Sequence, residues 1–394
     1  MSIAFPPRHG QAGKSQEPWE PAPAPPEPTL SSDERLVAGL LEVTRDNTGY
    51  LRQDAVATRD DPRVTPALQR QLGLRPGDLV EGVAKHERRG WAVQRVWRVN
   101  GHGVDDLARR PHFDRLTAVH PDHALTLGPT PDAITGRLLD LLAPVGRGQR
   151  GLIVSPPMAG KTTLLKDLAQ AVVQDDELTL LVCLIGERPE EVTDIRRSVD
   201  GAVLAADLDS PPAAQARVAD LGIEHGKRLV EEGRHVVVLL DSLTRLARAH
   251  NLDARGAGRT LSGGMDASAL QPGRRAFGAA RATEEAGSLT VLATALVDTG
   301  SRLDDVVYEE FKGTGNMEVH LDRDLAQQRL YPAVAIHRSG TRNEELLLDD
   351  DTLNRVHRLR RRLHNLSDAE ALSLLLDALR AHPTNQEALD ALAR

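Results

Sequence analysis

Cysteine is nearly absent: Cys183 is the only one in 394 residues. A lone cysteine excludes an intrachain disulfide framework, and its place inside the apolar run Leu178–Ile185 marks it as a packing residue. Aromatic residues are also few, four phenylalanines, three tyrosines and three tryptophans, so any clustering of them carries information. No run of eighteen apolar residues occurs, which leaves no candidate membrane-spanning helix. The amino terminus has no basic segment leading into an apolar stretch. A secretory leader is therefore not expected, and the cytoplasm is the expected compartment. Acidic residues outnumber basic ones, 57 against 49, for a net charge of −8. That balance excludes a uniformly basic nucleic-acid-binding surface but not a local basic groove.

What is present divides into three parts. Residues 1–31 are rich in proline (Pro6, Pro7, Pro18, Pro21, Pro23, Pro25, Pro26, Pro28) and poor in large apolar side chains. Such a composition cannot bury a core, so a disordered tail is expected. Residues 32–123 carry short alternating segments, Leu40–Val43, Gly49–Arg52, Asp78–Val83 and Trp91–Val99, separated by turn-like sequence. Their spacing predicts a small β-barrel. Four of the aromatics (Tyr50, Trp91, Trp97, Phe113) fall here, two of them in the basic stretch Lys85–Arg98. Rings interleaved with cations suit single-stranded nucleic acid, because bases stack while cations follow the backbone. Taken alone, the two tryptophans fit a barrel core equally well.

Residues 124–394 alternate apolar strands with amphipathic helices, the signature of an α/β fold with a mostly parallel sheet. Buried strands are expected at Gly151–Val154, Leu178–Ile185, Ala202–Ala206, His235–Leu240 and Ser288–Leu296, and helices at Thr162–Gln174, Pro211–Glu232 and Pro272–Glu285. The end, Glu344–Arg394, is helix-rich, and its cluster Arg358, Arg360, Arg361, Arg362 fits a solvated face.

Within this part, Ser155-Pro156-Pro157-Met158-Ala159-Gly160-Lys161-Thr162 follows a strand and opens a helix, the context of a phosphate-binding loop. Loop amides and the helix amino end attract phosphate. Lys161 can reach the β- and γ-phosphates of ATP, and Thr162 can ligate Mg²⁺. The first glycine of the usual pattern is replaced by Ser155. The apolar strand His235–Leu240 ends at Asp241, a second Mg²⁺ ligand, and Glu187 at the end of Leu178–Ile185 is placed to polarise an attacking water.

The strings Pro156–Thr162, Gly186–Val192, Asp241–Arg248, Phe277–Arg281, Tyr308–Asn316 and Arg338–Arg342, in that order, resemble the Rho family of bacterial transcription terminators. The resemblance runs from about Leu36 to the carboxyl terminus and is dense from Gly146. It implies an RNA-dependent ATPase and helicase with a RecA-like motor behind an OB-fold or cold-shock-like barrel. It also implies a homohexamer that moves 5′ to 3′ on single-stranded RNA and releases the transcript from the RNA polymerase elongation complex. The family's nucleotide contacts fall on Gly146, Arg147, Gly148, Gln149, Arg150 and Gly151, on Met158, Ala159, Gly160, Lys161, Thr162 and Thr163, and on Arg188. Tyr331 matches the aromatic that packs on adenine, Arg342 the arginine finger that reaches a neighbouring subunit, and Arg245 a second arginine near the site. RNA contacts fall on Asn47, Thr48, Gly49, Tyr50, Leu51 and Arg52, on Asp61, Arg63 and Trp91, and on two central loops through Arg259, Ser262, Gly263, Arg302 and Lys312.

Three features depart from the family. A proline-rich tail stands where a small helical subdomain is usual. Thr48, Arg63 and Gly90 occupy aromatic positions of the barrel, with Tyr50 and Trp91 remaining beside them. Met158 replaces an additional lysine of the phosphate loop, which implies altered nucleotide affinity with hydrolysis kept. Two other readings of the residues are an ion- or protein-export ATPase of the related rotary class, and an RNA-binding paralogue without activity. The basic aromatic stretch argues against the first, and the intact Lys161, Thr162, Glu187, Asp241 and Arg342 against the second.

Overall fold

The computed structural model describes residues 30–253 and 264–393. Six strands come first: β1 (Glu34–Val43), β2 (Gly49–Arg52), β3 (Arg63–Val64), β4 (Leu79–Glu87), β5 (Gly90–Val99) and β6 (His102–Gly103), with helix α1 (Pro66–Leu72) after β3. The helix starts at Thr65, whose hydroxyl accepts from the Leu68 amide, and stops at Gly73, where φ is 63°. Strand β3 pairs with both β2 and β5, so the order β3-β2-β1-β4-β5 closes on itself. Leu41, Leu51, Val64, Val80, Val93 and Val99 fill the interior of this barrel.

The second body is a sheet with parallel neighbours in the order β10-β9-β11-β13-β8-β14 and an antiparallel edge strand, β15. Its strands are β8 (Arg150–Ser155), β9 (Leu178–Glu187), β10 (Ala202–Asp207), β11 (His235–Asp241), β13 (Ser288–Leu296), β14 (Met317–His320) and β15 (Gly340–Thr341). The linking helices are α2 (Ile134–Leu142), α3 (Lys161–Val173), α4 (Pro189–Ser198), α5 (Pro212–Glu231), α6 (Leu243–Asp253), α7 (Leu270–Gly278), α8 (Arg302–Lys312) and α9 (Arg323–Gln327). Helices α10 (Asp350–Leu363), α11 (Asp368–Ala381) and α12 (Asn385–Ala393) follow. Strand residues alternate between two cores because successive side chains point to opposite faces. In β9, Leu180, Val182 and Leu184 pack on the side of α2, α3 and α10–α12, and Leu181, Cys183 and Ile185 on the side of α5–α8. Cys183 is the packing residue expected: burial pushes its thiol up to about 12, and a Cβ at Gly222 of α5 would lie 2.2 Å from its sulfur.

Three expectations are corrected. The helix expected over Pro272–Glu285 ends at Gly278, and β12 (Arg281–Thr283) follows, paired with β13 and with β7 (Ala118–Val119). Strand β8 pairs with β13 only from Val291 onward, which leaves Ser288 and Leu289 to take this segment, and local periodicity does not register that. By the same pairing the chain enters the motor sheet at Ala118, before the expected boundary after His123. The arginine cluster near the end is partly structural: Arg360 donates to Glu344 at 2.6 Å and to the Leu142 carbonyl at 2.9 Å, and Arg362 to the Leu392 carbonyl at 2.5 Å. The tail, apart from Leu30 and Ser31, lies outside the described residues, as do Arg259, Ser262 and Gly263 of the first central loop.

The two bodies are joined closely. Arg217 of α5 donates to Glu42 of β1 at 2.8 Å and to the Ala55 carbonyl at 2.7 Å, and Arg75 donates to Glu231 at 2.9 Å. Gly77, with φ 84°, brings its loop so near α5 that a Cβ there would lie 2.3 Å from the Glu224 backbone. Phe113, counted from sequence among the aromatics of the barrel region, is 1% exposed in the core beneath this junction, with the Arg281 guanidinium 4.7 Å from its ring centre.

Candidate functional site

Parallel strands present their carboxyl ends at one edge of a sheet, and ligands bind outside that edge. Here β8 leads into the loop Pro156–Gly160, β9 ends at Glu187 and β11 at Asp241. Gly160 takes φ 91° and caps α3, whose first residue is Lys161. Met158 also turns through positive φ, at 63°, and stands 74% exposed at the tip of the loop.

Lys161 crosses in front of β13 to reach both acidic strand ends. Its Nζ donates to Glu187 Oε1 at 2.7 Å and to the two Asp241 oxygens at 2.6 Å each. The three side chains are 13%, 3% and 3% exposed, so their charges interact through little water. Burial works against the Lys161 ammonium, but the charges of Asp241 and then Glu187 outweigh it and hold its pKa raised. Glu187 is raised as well, by burial first and the Asp241 charge second, against the pull of Lys161 and Arg245. Arg245 touches it from α6, with Nη2 3.3 Å from Glu187 Oε2.

Two contacts had no counterpart in the sequence reading. Thr294 of β13 donates to Asp241 Oδ1 at 2.6 Å, and Glu191 of α4 accepts from the Thr162 hydroxyl at 3.3 Å. A hydroxyl within the otherwise apolar end of β13 was the available signal for Thr294; nothing singled out Glu191. Tyr331 stands 40% exposed beside the loop, its ring 3.5 Å from where a Cβ on Gly160 would be. A cavity of about 380 Å³ opens between them and α2, lined also by Thr163. Arg188 is exposed at the start of α4, and Ala159 is buried under the loop.

Other expected nucleotide contacts do not join this pocket within the chain. Gly146, Arg147, Gly148, Gln149, Arg150 and Gly151 lie at the amino end of β8, opposite the phosphate loop, because one parallel strand separates them from it. They hold the sheet instead. Gln149 donates to the Asn316 carbonyl at 3.1 Å, Arg150 to the Thr314 and Ala280 carbonyls at 3.1 Å each, and the Gly148 amide to Thr290 at 2.8 Å. Arg147 pairs with Glu177 at 2.5 Å. Arg342 is at that same end: β15 pairs Thr341 with Met317, which in turn faces Gly151. It is exposed and, among the described residues, its side chain has no partner.

On the barrel, the expected RNA contacts separate into structural and available residues. Leu51 is core. Arg52 is 5% exposed and donates at 2.5 Å both to Glu42 and to Asp61. Asp61 also accepts from the Thr58 amide and hydroxyl. Gly49 is packed so tightly that a Cβ would meet Gln69 and Leu41 at 2.8 Å. These four therefore build the strand rather than offer it. Asn47 and Thr48 form the exposed turn, with φ 62° at Asn47 and the Thr48 hydroxyl on Asp46 at 3.0 Å. Tyr50 pairs in register with Arg63, and Arg63 with Ala92, next to Trp91. The Arg52 guanidinium lies 4.8 Å from the Tyr50 ring centre and that of Arg35 4.1 Å from the Trp91 ring. Trp91 packs partly on the barrel core, and Trp97 is half-buried outside it. Arg302 and Lys312 are exposed at the two ends of α8, Lys312 3.6 Å from Glu309.

Comparison with known proteins places this geometry. The model of the ATP synthase alpha/beta family nucleotide-binding domain matches residues 136–341, and that of the Rho termination factor RNA-binding domain matches residues 37–105. A transcription termination factor Rho from Streptosporangium roseum is 52% identical over 370 residues, 92% of this chain and 94% of that protein. One from Mycobacterium leprae is 49% identical over 364 residues, 90% of this chain, which spans 60% of that longer relative. Among solved structures, an ATPase from the type III secretion system of pathogenic bacteria superposes with a TM-score of 0.59 at 20% identity, over 71% of this chain and 86% of that one; this likeness concerns the fold alone. With an RNA-binding barrel ahead of a RecA-like ATPase domain, and with these relatives along most of its length, the chain belongs to the transcription termination factor Rho family.

Proposed function

We propose that the chain is an RNA-stimulated ATPase that assembles as a homohexamer, moves 5′ to 3′ along single-stranded RNA and releases the transcript from RNA polymerase, in the cytoplasm. The observation that carries the reading is the contact of Lys161 with both Glu187 and Asp241 beside a phosphate-type loop. The Lys161 ammonium neutralises two buried carboxylates. Phosphates arriving at the loop compete for it, and its transfer to them leaves Glu187 held by Arg245 and Asp241 held by Thr294. Glu187 then stands as the general base that orients a water, and its raised pKa makes it a better proton acceptor than an ordinary carboxylate. Arg245 is a positioning residue that keeps that carboxylate aimed.

The donors fit Mg²⁺, a hard ion that prefers oxygen: the Thr162 hydroxyl and the Asp241 carboxylate, once Lys161 has moved and Thr162 has left Glu191. The bound ion would neutralise phosphate charge. Arg342, exposed at the far end of its own sheet, suits a finger acting on a neighbouring subunit, which makes hydrolysis depend on the ring. RNA would meet Tyr50, Arg63 and Trp91 on the barrel and Arg302 and Lys312 on the motor.

The test is ATP turnover measured with a panel of RNA homopolymers. Turnover should rise steeply with the preferred RNA and vanish in Lys161→Ala. Turnover indifferent to every RNA would sink the motor reading and favour an export-type ATPase.

A further inference from the structure

The barrel carries one aromatic side chain that neither its interior nor the RNA-facing set uses. Strand residues alternate between faces. With Val37, Leu41, Val80 and Ala84 in the barrel interior, Leu36, Ala38, Glu81 and Val83 belong to the outer face. Leu36 pairs in register with Val83, and Val83 with Arg95, so one row of this face runs across β1, β4 and β5. At one end of the face Leu40 and Leu79 pack on the motor core. At the other, Leu36 is 54% exposed and Ala38 is exposed as well. Trp97 stands on β5 where the register shifts between Glu81 and Gly82, as the extra residue of a β-bulge. It is half-buried and packs on none of the three cores. Among the described residues, nothing hydrogen-bonds its indole N–H, and no ring or cation lies over it.

We propose that this face is the docking surface of the chain's own proline-rich segment, residues 17–30, with prolines seated on Trp97 and a main-chain carbonyl accepting from its indole N–H. Proline-rich sequence favours an extended helix without internal hydrogen bonds, so its carbonyls stay free, and aromatic surfaces recognise it. Pro18, Pro21, Pro23, Pro25, Pro26 and Pro28 crowd this segment, and its only charges are Glu17, Glu20 and Glu27. The segment leads directly into β1, where Leu36 begins the exposed row. Crossing from β1 to β5 spans two strand spacings, about 10 Å, whereas residues 21–28 reach about 25 Å when extended as such a helix. The tether also supplies an effective concentration of about 1 mM, so a weak contact suffices. Arg95, whose side chain is 56% exposed and 3.6 Å from Glu34, gives one of the three carboxylates a cation. RNA fits the face less well: a polyanion needs several uncompensated cations, and the other arginine of the face, Arg98, stands opposite Glu81.

The experiment reads Trp97 in the full chain. With Trp19→Phe and Trp91→Phe it is the only indole left, and acrylamide quenching of its emission reports how open it is. That chain is compared with one that also carries Pro21→Ser, Pro23→Ser, Pro25→Ser, Pro26→Ser and Pro28→Ser. At an effective concentration of about 1 mM, a Kd of about 0.3 mM docks roughly three quarters of the chains, so the serine substitutions should raise the quenching constant about fourfold. A synthetic peptide of residues 15–30, added to the serine-substituted chain at millimolar concentration, should restore the protection. Equal quenching of the two chains overturns the proposal. So does protection restored by a short single-stranded RNA and not by the peptide, which would make the face a second RNA surface.

Discussion

Replacing Lys161 with alanine tests the centre of the site twice, once through stability and once through turnover. Nζ is the nearest cation to both Glu187 and Asp241, at 2.6–2.7 Å, and all three groups are largely buried. Removing one member of a buried ion pair costs about 3–5 kcal/mol, because the remaining charge is left without compensation. Arg245 on Glu187 and the Thr294 hydroxyl on Asp241 remain, so a loss near the lower end, about 3 kcal/mol, is expected at neutral pH. The loss should depend on pH with a definite sign. The folded-state pKa of Glu187 is already raised, and removing the ammonium raises it further. The folded form then binds more protons than the unfolded chain, so this group's contribution to stability falls as pH rises above the ordinary carboxylate range. Denaturant titration of nucleotide-free Lys161→Ala should therefore show a small deficit near pH 5 and a larger one near pH 7.5. Combining Lys161→Met with Glu187→Gln should recover much of the stability while ATP turnover stays absent. A variant as stable as the wild type at neutral pH, or one whose deficit grows toward acid, would refute the account of Lys161 as counter-ion.

Other substitutions separate the remaining parts. Arg342→Ala should keep nucleotide affinity and lose turnover by about 10³-fold or more, and mixing it with Lys161→Ala chains should restore some activity if the finger acts between subunits; mixtures as inactive as their components would exclude that. Arg52→Ala should lower stability by about 3 kcal/mol, because it leaves Glu42 and Asp61 without their shared cation. Tyr50→Ala should instead leave the denaturation midpoint near its wild-type value and weaken RNA binding by about 1–3 kcal/mol. Measuring denaturation and RNA affinity for the pair decides which of the two residues offers itself to RNA. Met158→Lys adds a cation at the exposed loop tip and should lower the KM for ATP; an unchanged KM and turnover would show that the methionine is neutral there.

Much of the site was legible from spacing. A glycine, lysine and threonine at a strand-to-helix turn, with two further apolar strands ending in carboxylates, place three groups at one sheet edge whatever the strand order, because parallel strands align their carboxyl ends. The barrel strands were legible by alternation, although β3, only Arg63–Val64, was too short to register and yet closes the barrel. The arginines of the barrel were not legible. Arg52 and Arg63 look alike in sequence, but Arg52 is enclosed by Glu42 and Asp61 while Arg63 stays partly exposed and meets Glu87 at 3.0 Å.

The chain's own sequence thus determined most of the element types, the order of barrel and motor, and that Lys161, Glu187 and Asp241 gather at one sheet edge, since each depends on periodicity or on residues next to one another along a strand end. The tertiary structure decided what depends on strand order and register. It carried Lys161 across β13 to Glu187 and Asp241, set Thr294 against Asp241, and brought Thr135 to Asp167 from 32 residues away in the chain. It also placed Gly146–Gly151 and Arg342 together at the far end of the sheet, where a strand's direction, invisible in composition, separates them from the phosphate loop of the same chain.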